Sequence, residues 1–125
     1  MATSKIKVAV VTGGGHGIGR ALCRRLANDG ALVVVADIDE PAALAVAGEI
    51  GGVARTLDVS DEQAIAQLVE DIENEQGPID MFISNAGVGF ADGRCGAISA
   101  VGGLHAVDVR WDVSWKINVM AHVYA

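Results

Sequence analysis

The sequence predicts an α/β fold, a doubly wound parallel sheet with strand order 3-2-1-4. Three observations predict it. Short apolar runs alternate with stretches of helical periodicity along the chain. One run, residues 31–36, is unbroken Ala, Leu and Val, which suits a strand covered on both faces. A glycine-rich segment follows the first run and opens the first helical stretch.

Each element has its own signal. Lys5 to Val11 is a short apolar run ending near glycines and reads as strand one. From Ile18 to Asp29, Ile18, Ala21, Leu22 and Leu26 fall on one helical face, and Gly30 is the natural stop. Ala31 to Ala36 is strand two. Asp39 or Glu40 can cap the second helix, with Pro41 in the first turn, where its missing N–H costs nothing. That helix runs to about Ile50 and ends at Gly51-Gly52. Val53 to Leu57 is strand three.

Ser60 then opens a capping-box pattern, with Gln63 reaching back. Ile65, Leu68, Val69 and Ile72 follow at i, i+3, i+4 and i+7, and Gly77-Pro78 ends that third helix. Met81 to Ser84 is strand four. Residues 86–107 carry Gly, Ala and Ser without periodicity and read as a long loop. Asp108 caps a last helix through Trp111, Trp115, Val119 and Val123.

Composition bounds the function. A chain of 125 residues, 51% apolar, makes one domain with a real core. Its formal charge of −7 argues against a nucleic-acid partner, which needs a basic face. Arg20, Arg24 and Arg25 form the one basic cluster and read as a solvated helix face. No apolar run approaches the ~20 residues of a membrane span. The first seven residues lack the apolar core of a secretory signal. Cys23 and Cys95 form neither a CxxC pair nor a metal spacing, so a reducing, cytoplasmic setting is expected, with no metal site.

The strongest chemical signal is Thr12-Gly13-Gly14-Gly15-His16-Gly17-Ile18-Gly19. Glycines let a backbone approach a ligand closely. The following helix aims its free N–H groups and positive dipole end at the loop, which suits a pyrophosphate. No Gly-Lys-Ser/Thr follows, so this is not a P-loop.

The spacing Thr-Gly-x-x-x-Gly-x-Gly resembles the fingerprint of the short-chain dehydrogenase/reductase family. Four further motifs fit that resemblance in order: Asp37 at the end of strand two, Asp58-Val59 after strand three, Asn85-Ala86-Gly87 after strand four, and Asn118 seven residues after Trp111. The resemblance covers nearly the whole chain. It implies a Rossmann-type sheet, an NAD(P) cofactor, and hydride exchange between the nicotinamide and an alcohol or carbonyl substrate.

It also implies roles. Thr12, Gly13, Gly15, His16, Gly17, Ile18 and Gly19 would cradle the cofactor phosphates. Asp37, 18 residues after Gly19, would accept hydrogen bonds from the adenosine ribose. A carboxylate there repels a 2′-phosphate, and Ile38 beside it supplies no positive charge, so NAD is favoured over NADP. His16 complicates this, because its position is often basic in NADP-using relatives. Asp58 would bond the adenine amino group, with Val59 bordering the ring. Asp58 also fits a turn residue ahead of Ser60. Asn85, Ala86 and Gly87 would run beside the nicotinamide-side ribose. The Asn85 side chain, like Thr12, equally fits a tie between strands.

The family's hydride-transfer site resembles a tetrad of Asn, Ser, Tyr and Lys, and only the Asn has a match here, Asn118. Tyr124 is the only tyrosine. It lies six residues after Asn118, about 240° round one helix, so the two do not share a face. By the resemblance, the Ser and the Tyr-x-x-x-Lys pair lie beyond Ala125. The expectation is that these residues are the N-terminal half of a longer enzyme, truncated before the later strands and inactive alone. A homodimer or homotetramer is implied for the full-length protein. The alternative is a non-catalytic dinucleotide-binding or interaction protein. A methyl transferase is a third reading, but it leaves Asn85-Ala86-Gly87 and the Trp111-to-Asn118 spacing without a role.

Overall fold

Seven elements alternate along residues 5–87, the part of the chain that the computed structural model describes. They are β1 (Val8–Thr12), α1 (Gly17–Asn28), β2 (Leu32–Asp37), α2 (Glu40–Ile50), β3 (Val53–Thr56), α3 (Glu62–Gln76) and β4 (Met81–Ile83). The strands form one parallel sheet in the order β3-β2-β1-β4. Val10 stands opposite Val34 on one side and Phe82 on the other, and Val34 stands opposite Val53. The doubly wound sheet and its strand order are those that the sequence predicts. The predicted loop of residues 86–107, from Val88 onward, and the whole predicted last helix lie outside the described residues.

The pleat divides the interior in two. Val8, Val10, Val34 and Ala36 face a core completed by Leu57, Val59 and the Ile65, Leu68 and Ile72 stripe of α3. Val11, Val33 and Val35 face a second core, completed by Cys23 of α1 and by Ala43, Val46 and Ala47 of α2. Every residue of β2 from Val33 to Asp37 is buried, because helices cover both faces of the sheet.

Two local expectations are corrected. The predicted core face of the first helix is rotated. Ile18 is 74% exposed and Ala21 is exposed too, while Gly19 and Cys23 carry the buried stripe with Leu22, Leu26 and Ala27 partly covered. Gly19 lies one helical step from Ile18, and having no side chain it seats the helix against the loop before it. The cap of α3 is Asp61, not Ser60. The Asp61 side chain accepts from the Ala64 N–H at 3.2 Å. The Ser60 hydroxyl instead donates to Asp58 Oδ1 at 2.6 Å, in the turn before the helix. The boundaries of all four strands shift slightly, with β3 ending at Thr56 rather than Leu57 and β1 beginning at Val8 rather than Lys5. There the Asp80 carboxylate accepts from the Lys7 and Val8 N–H groups at 2.8 and 3.0 Å and anchors the start of the strand.

Candidate functional site

The C-terminal ends of all four strands open into one cleft of about 300 Å³. It lies where strand order reverses, with β2 on one side of β1 and β4 on the other, the place where open α/β sheets bind ligands. Gly13, His16 and Gly17 line it from the β1–α1 turn, and Asp37 and Ile38 from the end of β2. Leu57, Asp58 and Val59 follow β3, and Asn85, Ala86 and Gly87 follow β4.

The turn is shaped by what its glycines leave out. Gly13 has φ +66°, and a Cβ there would stand 2.9 Å from the Ala86 Cα. A Cβ on Gly19 would lie 2.0 Å from the Gly13 carbonyl oxygen. The first turn of α1 is therefore pressed onto the loop backbone. The N-cap of α1, His16, makes no side-chain cap bond, and no acid stands in the first turn. By contrast α2 and α3 are capped by Asp39 and Asp61 and carry Glu40 and Glu62 in their first turns. Among the described helices, the one beginning at the cleft is thus the one with no acid in its own first turn and no side chain on its cap, which leaves first-turn N–H groups for an anion.

Asp37 forms the acidic wall. It is only 8% exposed, and both carboxylate oxygens are held by backbone. Oδ2 accepts from the Gly15 N–H and Oδ1 from the Asp39 N–H, each at 3.0 Å. An ionised carboxylate can accept further bonds at each oxygen. Asp39, two residues on, accepts from the Ala42 N–H through Oδ1 and meets His16 Nε2 through Oδ2 at 2.9 Å. The bond from His16, then that from Ala42, holds the Asp39 carboxyl below its ordinary value. Asp58 Oδ1 accepts from both the N–H and the hydroxyl of Ser60. It is both a turn residue and a wall of the cleft.

The remaining candidates lie behind that lining. Thr12 is 1% exposed. Its hydroxyl accepts from the Asn85 and Ala86 N–H groups at 3.0 and 3.2 Å and donates to the Ile83 carbonyl at 3.4 Å. The Asn85 amide donates to the Thr12 carbonyl at 3.2 Å. Both residues therefore latch β4 to β1, and Asn85 lines the cleft as well. Gly15 stands behind Asp37, Gly19 under the loop, and Ile18 points to solvent. Asn118 lies outside the described residues. Leu57 lines the cleft as well, and as one more apolar residue at a strand end it carries no distinguishing signal in the sequence.

The short chain dehydrogenase family model matches residues 7–125. A short-chain dehydrogenase reductase of Arabidopsis thaliana is 36% identical over 116 residues, which cover 93% of this chain and 40% of the relative. Among solved structures, a 3-ketoacyl-(acyl-carrier-protein) reductase from Brucella melitensis complexed with NADH superposes with a TM-score of 0.77 at 32% identity. The match covers 94% of this chain and 46% of that one. A metagenomic short-chain oxidoreductase in complex with NADP gives a TM-score of 0.77 at 35% identity, covering 94% and 52%. This chain thus spans about half or less of each of these relatives.

Proposed function

This chain belongs to the short chain dehydrogenase family, and from that premise we propose that it binds NAD(H) in an oxidoreductase acting on an alcohol or carbonyl substrate. Bound there, the nicotinamide supplies the hydride acceptor or donor. The observation that carries the cofactor reading is Asp37, a buried carboxylate fixed by two backbone N–H groups at the rim of the cleft. Ribose hydroxyls can donate to its remaining lone pairs, whereas a 2′-phosphate there would set two negative charges together. Ile38, 68% exposed, adds no counter-charge.

The chain's own residues divide the work. The uncapped start of α1 and the loop from Gly13 to Gly19 receive the pyrophosphate. Asp58 and Val59 receive the adenine edge and face. Asn85, Ala86 and Gly87 lie along the nicotinamide-side ribose. By family resemblance, Asn118 supports a water relay at the reacting oxygen. The 125 residues hold no Tyr-x-x-x-Lys pair. This polypeptide alone therefore binds cofactor without turning over an alcohol. By family resemblance the working enzyme is a dimer or tetramer, in the cytoplasm.

Fluorescence titration of the full chain with NADH and with NADPH tests this reading. NADH is expected to bind at least about tenfold more tightly, and Asp37→Ala to remove most of that difference, as the loss of bonds to a charged acceptor implies. Equal affinities, or a preference for NADPH, would refute the NAD assignment. No binding of either ligand would refute the nucleotide site itself.

A further inference from the structure

Among the described residues lining the cleft, His16 is the one side chain able to carry positive charge. It follows Gly15, whose N–H bonds Asp37, so His16 and Asp37 share one wall. A protonated imidazole there would offer a charge-assisted bond to a phosphate on the adenosine ribose. Instead its Nε2 lies 2.9 Å from Asp39 Oδ2. The neighbouring charges deepen the bias. Asp37 ends β2, Asp39 caps α2, Glu40 opens it, and Asp58 follows β3. Arg20, one turn further along α1, acts on the Glu49 carboxylate.

We propose that Asp39 is a specificity-determining positioning residue: it holds the His16 imidazole and so withdraws from a 2′-phosphate the one side chain, among the described cleft residues, able to carry positive charge. This inference rests on the reading of Asp37 as the wall that meets the adenosine ribose. It adds a second, indirect means of excluding NADP. Asp37 repels the phosphate, and Asp39 removes the group that would compensate. Asp39 acts wholly through His16 and touches no ligand itself. Its bond to the Ala42 N–H is a separate task, the capping of α2.

The test is direct binding of NADH and NADPH to the full chain at about pH 6, where a free imidazole is mostly charged. The proteins are wild type, Asp39→Ser and the double variant Asp39→Ser/His16→Gln. Serine still caps the helix but has neither the charge nor the reach to hold His16. Asp39→Ser is expected to bind NADPH about tenfold more tightly than wild type while its NADH affinity changes far less. The gain should vanish in the double variant. Asp39→Asn, which also keeps a cap acceptor, gives the same readout if the serine variant does not fold.

No gain for NADPH, a gain that survives loss of His16, or equal loosening of both ligands would each overturn the proposal. Equal loosening would mark Asp39 as a mere clasp between α1 and α2. The wild-type ratio of NADH to NADPH affinity judges the Asp37 reading. The ratio of variant to wild type for NADPH judges Asp39. The two failures are therefore distinct.

Discussion

At the scale of single residues, the candidate site depends on atoms that are absent. Replacing Gly19 by Ala would put a Cβ 2.0 Å from the Gly13 oxygen and 2.7 Å from Asn85 Nδ2. The oxygen belongs to backbone and cannot swing aside. Gly19→Ala is therefore expected to destabilise the fold by about 3 kcal/mol, read as a drop in the urea midpoint at unchanged slope. Gly48→Ala is the control. It sits inside α2 with nothing within 4 Å of its added Cβ, and is expected to stabilise by about 0.5–1 kcal/mol. These residues also mark how far the sequence could be read. The glycine spacing and Asp37 stand out because few residue types do their work. The Asp39 contact to His16 was not legible, because it joins residues 23 positions apart through a side chain that already had a local role.

At the scale of elements, the sheet order was legible because apolar runs and helical periodicities alternate without a break. Helix faces and caps were less so. Ile18 and Cys23 are both apolar, and periodicity alone does not say which packs inward. Packing chose the Gly19–Cys23 stripe, where the loop backbone approaches most closely. At the start of α3 the capping-box spacing points to Ser60, whereas the cap is its neighbour Asp61. The serine was taken by Asp58, which left the aspartate to the helix. This ordering has a measurable consequence. Asp61→Ala is expected to cost about 1 kcal/mol in chemical denaturation, and Ser60→Ala distinctly less. The reverse order would return the cap to Ser60.

At the scale of the whole molecule, three carboxyls among the described residues contribute to how stability responds to acid. Backbone donors from Val8 and Lys7 lower Asp80, the His16 bond lowers Asp39, and the Arg24 guanidinium lowers Glu49. Each folded-state value lies below its ordinary one, 3.8 for the aspartates and 4.5 for the glutamate. Their contribution is complete above those ordinary values and is lost as pH falls through the lowered ones. The urea midpoint should hardly respond to these groups down to about pH 5 and fall progressively below it. A decline that begins near neutrality would assign acid sensitivity to other groups.

The sheet is also a partition. The described core residues on its two faces form separate clusters with no member in common. A change such as Ile72→Val on one side and Val46→Ala on the other should then add in free energy to within about 0.5 kcal/mol. The consequence reaches past stability to how such a sequence can vary. Each half of the interior can be repacked while the other stands still. The search for workable interiors thus separates into two small problems, and solutions found for one side can be combined freely with those found for the other.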